Sequence, residues 1–189
     1  LLNGSAHLAS DSAGHQNINS ICVENPNNPR KLVCDFCIKS QTEKELEILI
    51  RIPEWANGKT NILINGEEVN EESKPGTFVS IKQVWKEDII HLELGKKISV
   101  NYLPGAENTV AFLDGPVVLA GLCDEERVLY TDKELPEELL VADNEREWGN
   151  WMNTYKTVHQ DRGIRFIPLY QVGYEKYAVY FPIEKRKYI

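Results

Sequence analysis

Apolar and polar residues alternate with a period of two along most of the chain. Leu32, Cys34, Phe36 and Ile38 alternate with Val33, Asp35, Cys37 and Lys39; Leu46, Ile48, Ile50 and Ile52 then alternate with Glu45, Glu47 and Arg51. Successive side chains of a strand point to opposite faces, so each run predicts a strand with one face in a core. Pro53 ends the second run because proline cannot donate to a ladder. Ile62 and Ile64 lead into Asn65-Gly66, the dipeptide suited to a type I′ turn, and Glu67 to Asn70 return as the partner strand. Further short strands follow at Thr77, Val79, Ile81, at Ile90, Leu92, Leu94, and at Ile98, Val100, Tyr102. Pro75-Gly76, Pro104-Gly105 and Gly115-Pro116 punctuate them. The run Val117-Val118-Leu119-Ala120 lacks alternation, which predicts burial on both faces.

From Asp124 to Asn153 the alternation fails. Leu135 to Leu140 reads as a helical turn or a short extended piece, and Glu145 to Met152 as one short helix with Trp148 and Trp151 on one side. Strand signals return at Ile164 to Ile167 and at Tyr177 to Phe181. Many short strands between turn residues predict an all-β protein, an antiparallel β-sandwich. The expected division is a main sandwich over 1–123, an acidic insertion over 124–153, and further strands over 154–189.

Charge sharpens that division. The 189 residues carry 21 Lys plus Arg and 29 Asp plus Glu, a formal net charge of −8. Ten acidic and three basic residues fall between Asp124 and Glu147, a net of −7 that leaves −1 for everything else. The segment lacks the Asp-x-Asp-x-Asp-Gly spacing of a calcium loop and reads as a solvated connection. The negative balance excludes a phosphate-binding, nucleic-acid role. No apolar stretch reaches the length of a membrane span. Leu1 to Ala6 do not form an intact signal peptide, so the chain is expected to be a piece of a longer one. Composition leaves a cytoplasmic and a secreted or periplasmic location equally open.

Candidate chemistry is sparse. Cys22, Cys34, Cys37 and Cys123 are too few for a disulfide-built scaffold of this size. The Cys34-x-x-Cys37 pair suggests zinc or redox use, but three residues apart on a strand places the thiols on opposite faces, and no second pair completes a tetrahedral site. They are read as buried or half-buried strand cysteines. His7, His15, His91 and His159 lie in separate segments; His91, between Ile90 and Leu92, faces away from them toward solvent. No nucleophile elbow, His-Glu-x-x-His, P-loop or dinucleotide fingerprint occurs. The chain is therefore expected to hold no catalytic residue, no metal and no cofactor. Trp55, Trp85, Trp148 and Trp151 are candidates for stacking on a sugar ring, against the alternative that Trp55 and Trp85 close the rim of the sandwich core.

The string Leu49 to Ala56, followed by Ile64-Asn65-Gly66-Glu67, Pro75 to Ile81, Val84-Trp85-Lys86, Val110 to Gly121, Ile164 to Tyr170 and Glu175 to Phe181, resembles the region after the catalytic barrel in glycoside hydrolase family 127 and its relatives. These are the β-L-arabinofuranosidase-like proteins, also known as domain of unknown function 1680. The resemblance covers about residues 45 to 181, while residues 1 to 44 match poorly. It implies a jelly-roll-like β-sandwich with a small second lobe inserted at 124–153 and closing strands over 154–189 that return to the sandwich, beside an α/α barrel carrying a cysteine nucleophile, a catalytic glutamate and a zinc held by Cys and Glu. No such barrel is present in this sequence, and its four cysteines do not match the catalytic motifs. The expected role is a non-catalytic, structural domain of a glycoside hydrolase, with the parent's own barrel as partner. The alternatives are an autonomous carbohydrate-binding module, marked by exposed aromatic rings on one face, and a homodimerisation domain, marked by a large exposed apolar patch.

Overall fold

The structure is a computed structural model describing residues 2–8, 16–25, 28–40, 45–69, 72–131, 135–143, 146–147, 150–151 and 153–186. The chain forms two compact units, Leu1–Lys96 and Lys97–Ile189.

The first unit holds β1 (Leu2–Leu8), β2 (Gln16–Asn25), β3 (Asn28–Ser40), β4 (Glu45–Arg51), β5 (Asn61–Ile64), β6 (Glu67–Glu68), β7 (Phe78–Val84) and β8 (Glu87–Gly95). Six of them make an antiparallel sheet in the order β1-β2-β3-β8-β5-β6, and β4 pairs with β7 in a second sheet. The alternation read from the sequence sets the inner faces. Ile50 of β4 and Val79 and Ile81 of β7 are buried with Cys34 and Ile38 of β3, Ile62 of β5, and Ile90, Leu92 and Leu94 of β8. This is a two-sheet sandwich, as the periodicity predicts. Ile52 and Trp85 lie at its centre with 0% exposure. The Trp85 indole N–H donates to the Leu46 carbonyl at 3.0 Å, satisfying its one polar atom inside the core.

The turns follow their local chemistry. Asn65 and Gly66 have φ of 51° and 90°, the two positive values that a type I′ turn requires, and join β5 to β6. Gly95 sits so close to the chain that a Cβ there would lie 2.1 Å from the Asn57 carbonyl oxygen, and that approach carries the 2.9 Å bond from the Asn57 amide to the Gly95 carbonyl.

The second unit holds β9 (Ile98–Leu103), β10 (Ala106–Asp114), β11 (Val117–Leu122), β12 (Leu129–Thr131), β13 (Leu140–Ala142), β14 (Arg146–Glu147), β15 (Asn150–Trp151), β16 (Tyr155–Thr157), β17 (Arg165–Pro168), β18 (Tyr177–Ala178) and β19 (Tyr180–Lys185). Its main sheet runs β12-β19-β10-β11-β17-β16-β13, with β9 also on β10 and β18 also on β11; among the described residues only β12 and β19 pair parallel. Gly105, at φ 82°, and Gly115, at φ 58°, supply the positive dihedrals of the β9–β10 and β10–β11 hairpins. Leu119 and Ala120 are both fully buried, so β11 is covered on both faces, as its unbroken apolar run predicts. Phe166 packs edge-on against Phe112 at 5.4 Å between ring centroids and tilted against Phe181 at 5.1 Å.

Four expectations differ from the structure. The division falls at Lys96 instead of residue 123. The closing strand β19 does return to an earlier one, β10, but that strand belongs to the second unit. The acidic segment supplies β12 and β13, the two ends of the main sheet path, so it is built into that sheet instead of standing as a lobe of its own. Lastly, the helix expected over 145–152 is absent among the described residues of that stretch: β14 and β15 form a short antiparallel ladder. Gly149, a poor helix former, sits in the middle of that sequence. The 135–140 segment realises both alternatives, a 3₁₀ turn at Pro136–Leu139 running into β13.

Candidate functional site

Two adjoining concavities open where β11 ends in the second unit. One, of about 340 Å³, is lined by Leu122, Cys123, Asp124, Arg127, Arg162 and Glu175 among others. The second, of about 700 Å³, is lined by Asp124, Glu125, Glu126, Lys176, Tyr177 and Tyr180 among others. They share Cys123, Asp124, Glu175 and Lys176.

The ladder positions these groups. Leu122 is opposite Tyr177 across the β11–β18 pair, and the Cys123 amide donates to the Lys176 carbonyl at 3.1 Å, which ties the start of the acidic segment to the 175–178 stretch. The chain then changes neighbours: Tyr177 and Ala178 pair with β11, whereas Tyr180 pairs with Ala111 of β10. Perfect alternation would send Tyr177 and Tyr180 to opposite faces. The change of partner at Val179 instead leaves both rings about half exposed, at 48% and 49%, on the wall of one cavity.

The charged groups of the cleft are tied to their near neighbours in sequence. Glu175 accepts from the Gly173 amide at 2.8 Å, and its own backbone amide and that of Gly173 hold its carboxyl below the ordinary value. It is an ionised, acceptor-only group at neutral pH. Arg127 pairs with Glu125 at 2.7 Å. Burial pushes the Cys123 thiol up, and it points to the Gly121 carbonyl at 3.5 Å, so it is a protonated packing group and a poor nucleophile.

The residues singled out in the sequence are distributed as follows. Trp85 is excluded from sugar stacking, because its ring is enclosed by the first core. Trp55 is half-buried and packed against that same core. Trp148 and the Trp151 side chain lie outside the described residues, as do the side chains of His7 and His15. Neither Trp55 nor Trp85 lines the cleft. His91 does face outward, where its Nδ1 lies 2.7 Å from Asp35 Oδ1. Cys34 is disulfide-bonded, a correction to its reading as a plain strand cysteine; the residue opposite it on β2 is Cys22, and Cys37 and Cys123 are free thiols. The register of two strands decides this, and periodicity within one strand does not report it. Among the described residues no group of three or more His, Cys, Asp or Glu is placed to hold a metal ion. No helix among the described residues is long and apolar enough to cross a membrane.

Sequence reasoning missed the cleft. Asp124-Glu125-Glu126 read as a solvated connection and the tyrosines as ordinary strand residues, and the only local signal is three carboxylates directly after a buried strand.

Comparison with known proteins agrees with this architecture. Residues 8–95 match the family described as β-L-arabinofuranosidase, GH127 middle domain. That match takes in residues 8–44, which the motifs alone leave out. No curated protein matches. Among solved structures, a glycoside hydrolase superposes with a TM-score of 0.61 at 17% identity over 96% of this chain and 34% of its own. A GH127 β-L-arabinofuranosidase from Geobacillus stearothermophilus T6 superposes at 0.55 and 18% identity over 95% of this chain and 32% of its own. A GH127 β-arabinofuranosidase superposes at 0.60 and 19% identity over 97% and 34%. The chain thus spans about a third of the length of these solved relatives. With the family match over its first half and the fold match over nearly all of it, the chain is similar to the β-sandwich region of glycoside hydrolase family 127, the β-L-arabinofuranosidase-like proteins.

Proposed function

We propose that this chain is a non-catalytic accessory region of a glycoside hydrolase of the β-L-arabinofuranosidase-like type, and that its work is structural: it packs beside a catalytic α/α barrel in the same polypeptide and holds that barrel's fold. The observation that carries the reading is the asymmetry of coverage, since 95–97% of this chain superposes on only 32–34% of each relative. The relatives' remaining two thirds are where the hydrolytic machinery would sit. The protonated Cys123 and the bonded Cys34 are consistent with cysteines that take no part in hydrolysis.

The reading has a two-part test. The chain alone, incubated with p-nitrophenyl β-L-arabinofuranoside, should release no nitrophenol; turnover abolished by Glu175→Gln or Asp124→Asn would overturn the non-catalytic assignment. In the parent polypeptide, Trp85→Ala should lower the temperature at which glycosidase activity is lost together with the unfolding temperature of this region. Unchanged heat inactivation in that variant would overturn the supporting role.

A further inference from the structure

We propose that the cleft at the end of β11 is a binding subsite for a neutral saccharide, with Tyr177 and Tyr180 as the stacking wall and Asp124, Glu175, Lys176 and Arg162 as hydrogen-bonding groups. A sugar presents an apolar C–H face and a rim of hydroxyls that both donate and accept. The cleft offers both halves of that complement. Two half-exposed phenol rings share one cavity with carboxylates that accept and with the Lys176 ammonium that donates, and the guanidinium groups of Arg127 and Arg162 line the adjoining cavity.

The balance of charge selects against other ligands. Asp124, Glu125, Glu126 and Glu175 face Arg127, Arg162 and Lys176, and Glu125 already engages Arg127 at 2.7 Å. The site therefore has no surplus of positive charge to hold phosphate or a polyanion. Its rim is too polar for a purely apolar ligand, and no triad of metal-binding side chains is assembled among the described residues. The second notable groove, of about 500 Å³ beside the β5–β6 hairpin, is lined by Asn65, Glu67, Glu68 and Asp88 without an aromatic ring, so it lacks the stacking half.

The Gly173 amide fixes the Glu175 carboxylate before any ligand arrives, which lowers the ordering cost of binding. The proposal rests on this cleft and is independent of the supporting role proposed above. The two can fail separately.

The test uses the 189-residue chain with nitrogen-15 labelling, titrated at millimolar concentration with arabino-oligosaccharides of four to six residues, xylohexaose and cellohexaose, and separately with tri-galacturonate and inorganic phosphate. At least one neutral saccharide should give saturable shifts confined to residues 122–127, 162–164 and 173–180. Tyr177→Ala and Tyr180→Ala should each weaken that binding about tenfold. Glu175→Gln, which alters no buried packing, should weaken it as well and serves if a tyrosine variant loses structure. Absence of saturable shifts with every neutral saccharide would overturn the proposal. So would equal affinity in all three variants, or tighter binding of phosphate or tri-galacturonate.

Discussion

Asn65 grips Ile89 twice: its backbone amide donates to the Ile89 carbonyl at 2.9 Å, and its side-chain oxygen accepts from the Ile89 amide at 2.9 Å. Its side-chain amide also donates to Asp88 at 2.7 Å. The residue that permits the turn thus also fastens the β5–β6 hairpin to β8. Asn65→Gly keeps a residue suited to φ 51° and loses only the side-chain bonds, whereas Asn65→Ala loses both. Urea unfolding should show Asn65→Ala less stable than wild type by about 1 to 3 kcal/mol, with Asn65→Gly in between. An alanine variant as stable as wild type would show that the clamp contributes nothing.

Two glycines are held by proximity. A Cβ at Gly121 would lie 2.5 Å from the Phe181 ring and 2.9 Å from Phe166, whereas one at Gly95 would lie 2.1 Å from a backbone oxygen. Rings can pivot in part, but a carbonyl fixed by its chain cannot. Gly121→Ala should cost about 1 to 3 kcal/mol and Gly95→Ala more. Chemical denaturation of the two variants under one buffer checks the order.

Acid should act through Glu93. Lys31 donates to its carboxylate at 2.8 Å and Asn61 at 3.2 Å, and these two bonds, Lys31 foremost, hold its carboxyl below the ordinary glutamate value of 4.5. A group with a lowered folded value contributes stability that is fully present above the unfolded value and lost as pH falls through the folded one. Glu93→Gln should therefore lower stability at pH 7 by less than about 1 kcal/mol, because Lys31 is partly exposed. The gap from wild type should close as the pH is taken well below 4.5. Urea midpoints measured from pH 7 downward test this; a gap that persists unchanged into strong acid would assign it to something other than ionisation.

A chain ending at Gly163 would lose β17, which lies between β11 and β16, and β19, which lies between β12 and β10. Phe166, Ile167 and Phe181 go with them, each buried and worth about 1.5 to 3 kcal/mol. Against a total of about 5 to 15 kcal/mol, the second unit should not fold. The first unit has its own core between its two sheets. Hydrogen exchange should therefore show protection retained in β3 and β8 and lost in β10 and β11. Protected amides in β10 would show the closing strands to be peripheral.

Features that depend on one residue and its immediate neighbours were legible in the chain. Asn65-Gly66, Pro104-Gly105 and Gly115-Pro116 bend where their dihedral chemistry allows, and Leu46, Ile48, Ile50 and Ile52 turn one face inward because strand geometry has a period of two. The Tyr177–Tyr180 wall was not legible, because it depends on which strand each half of the segment joins. Nor was the state of Cys34, which is set by the neighbour across the β2–β3 ladder.

The sequence by itself therefore determined the all-β class, the strands' inner faces, the tight turns and the kinship of motifs spread from Leu49 to Phe181. Tertiary structure alone decided the break at Lys96, the burial of Trp85 and the incorporation of the acidic segment at both ends of a sheet path. It also decided the assembly of an aromatic-walled cleft from residues as far apart as Asp124 and Tyr180, 56 positions along the chain. The reason is physical: alternation and turn propensity act over two to four residues, whereas strand order is chosen by the pairing that buries the most apolar surface while satisfying every ladder bond.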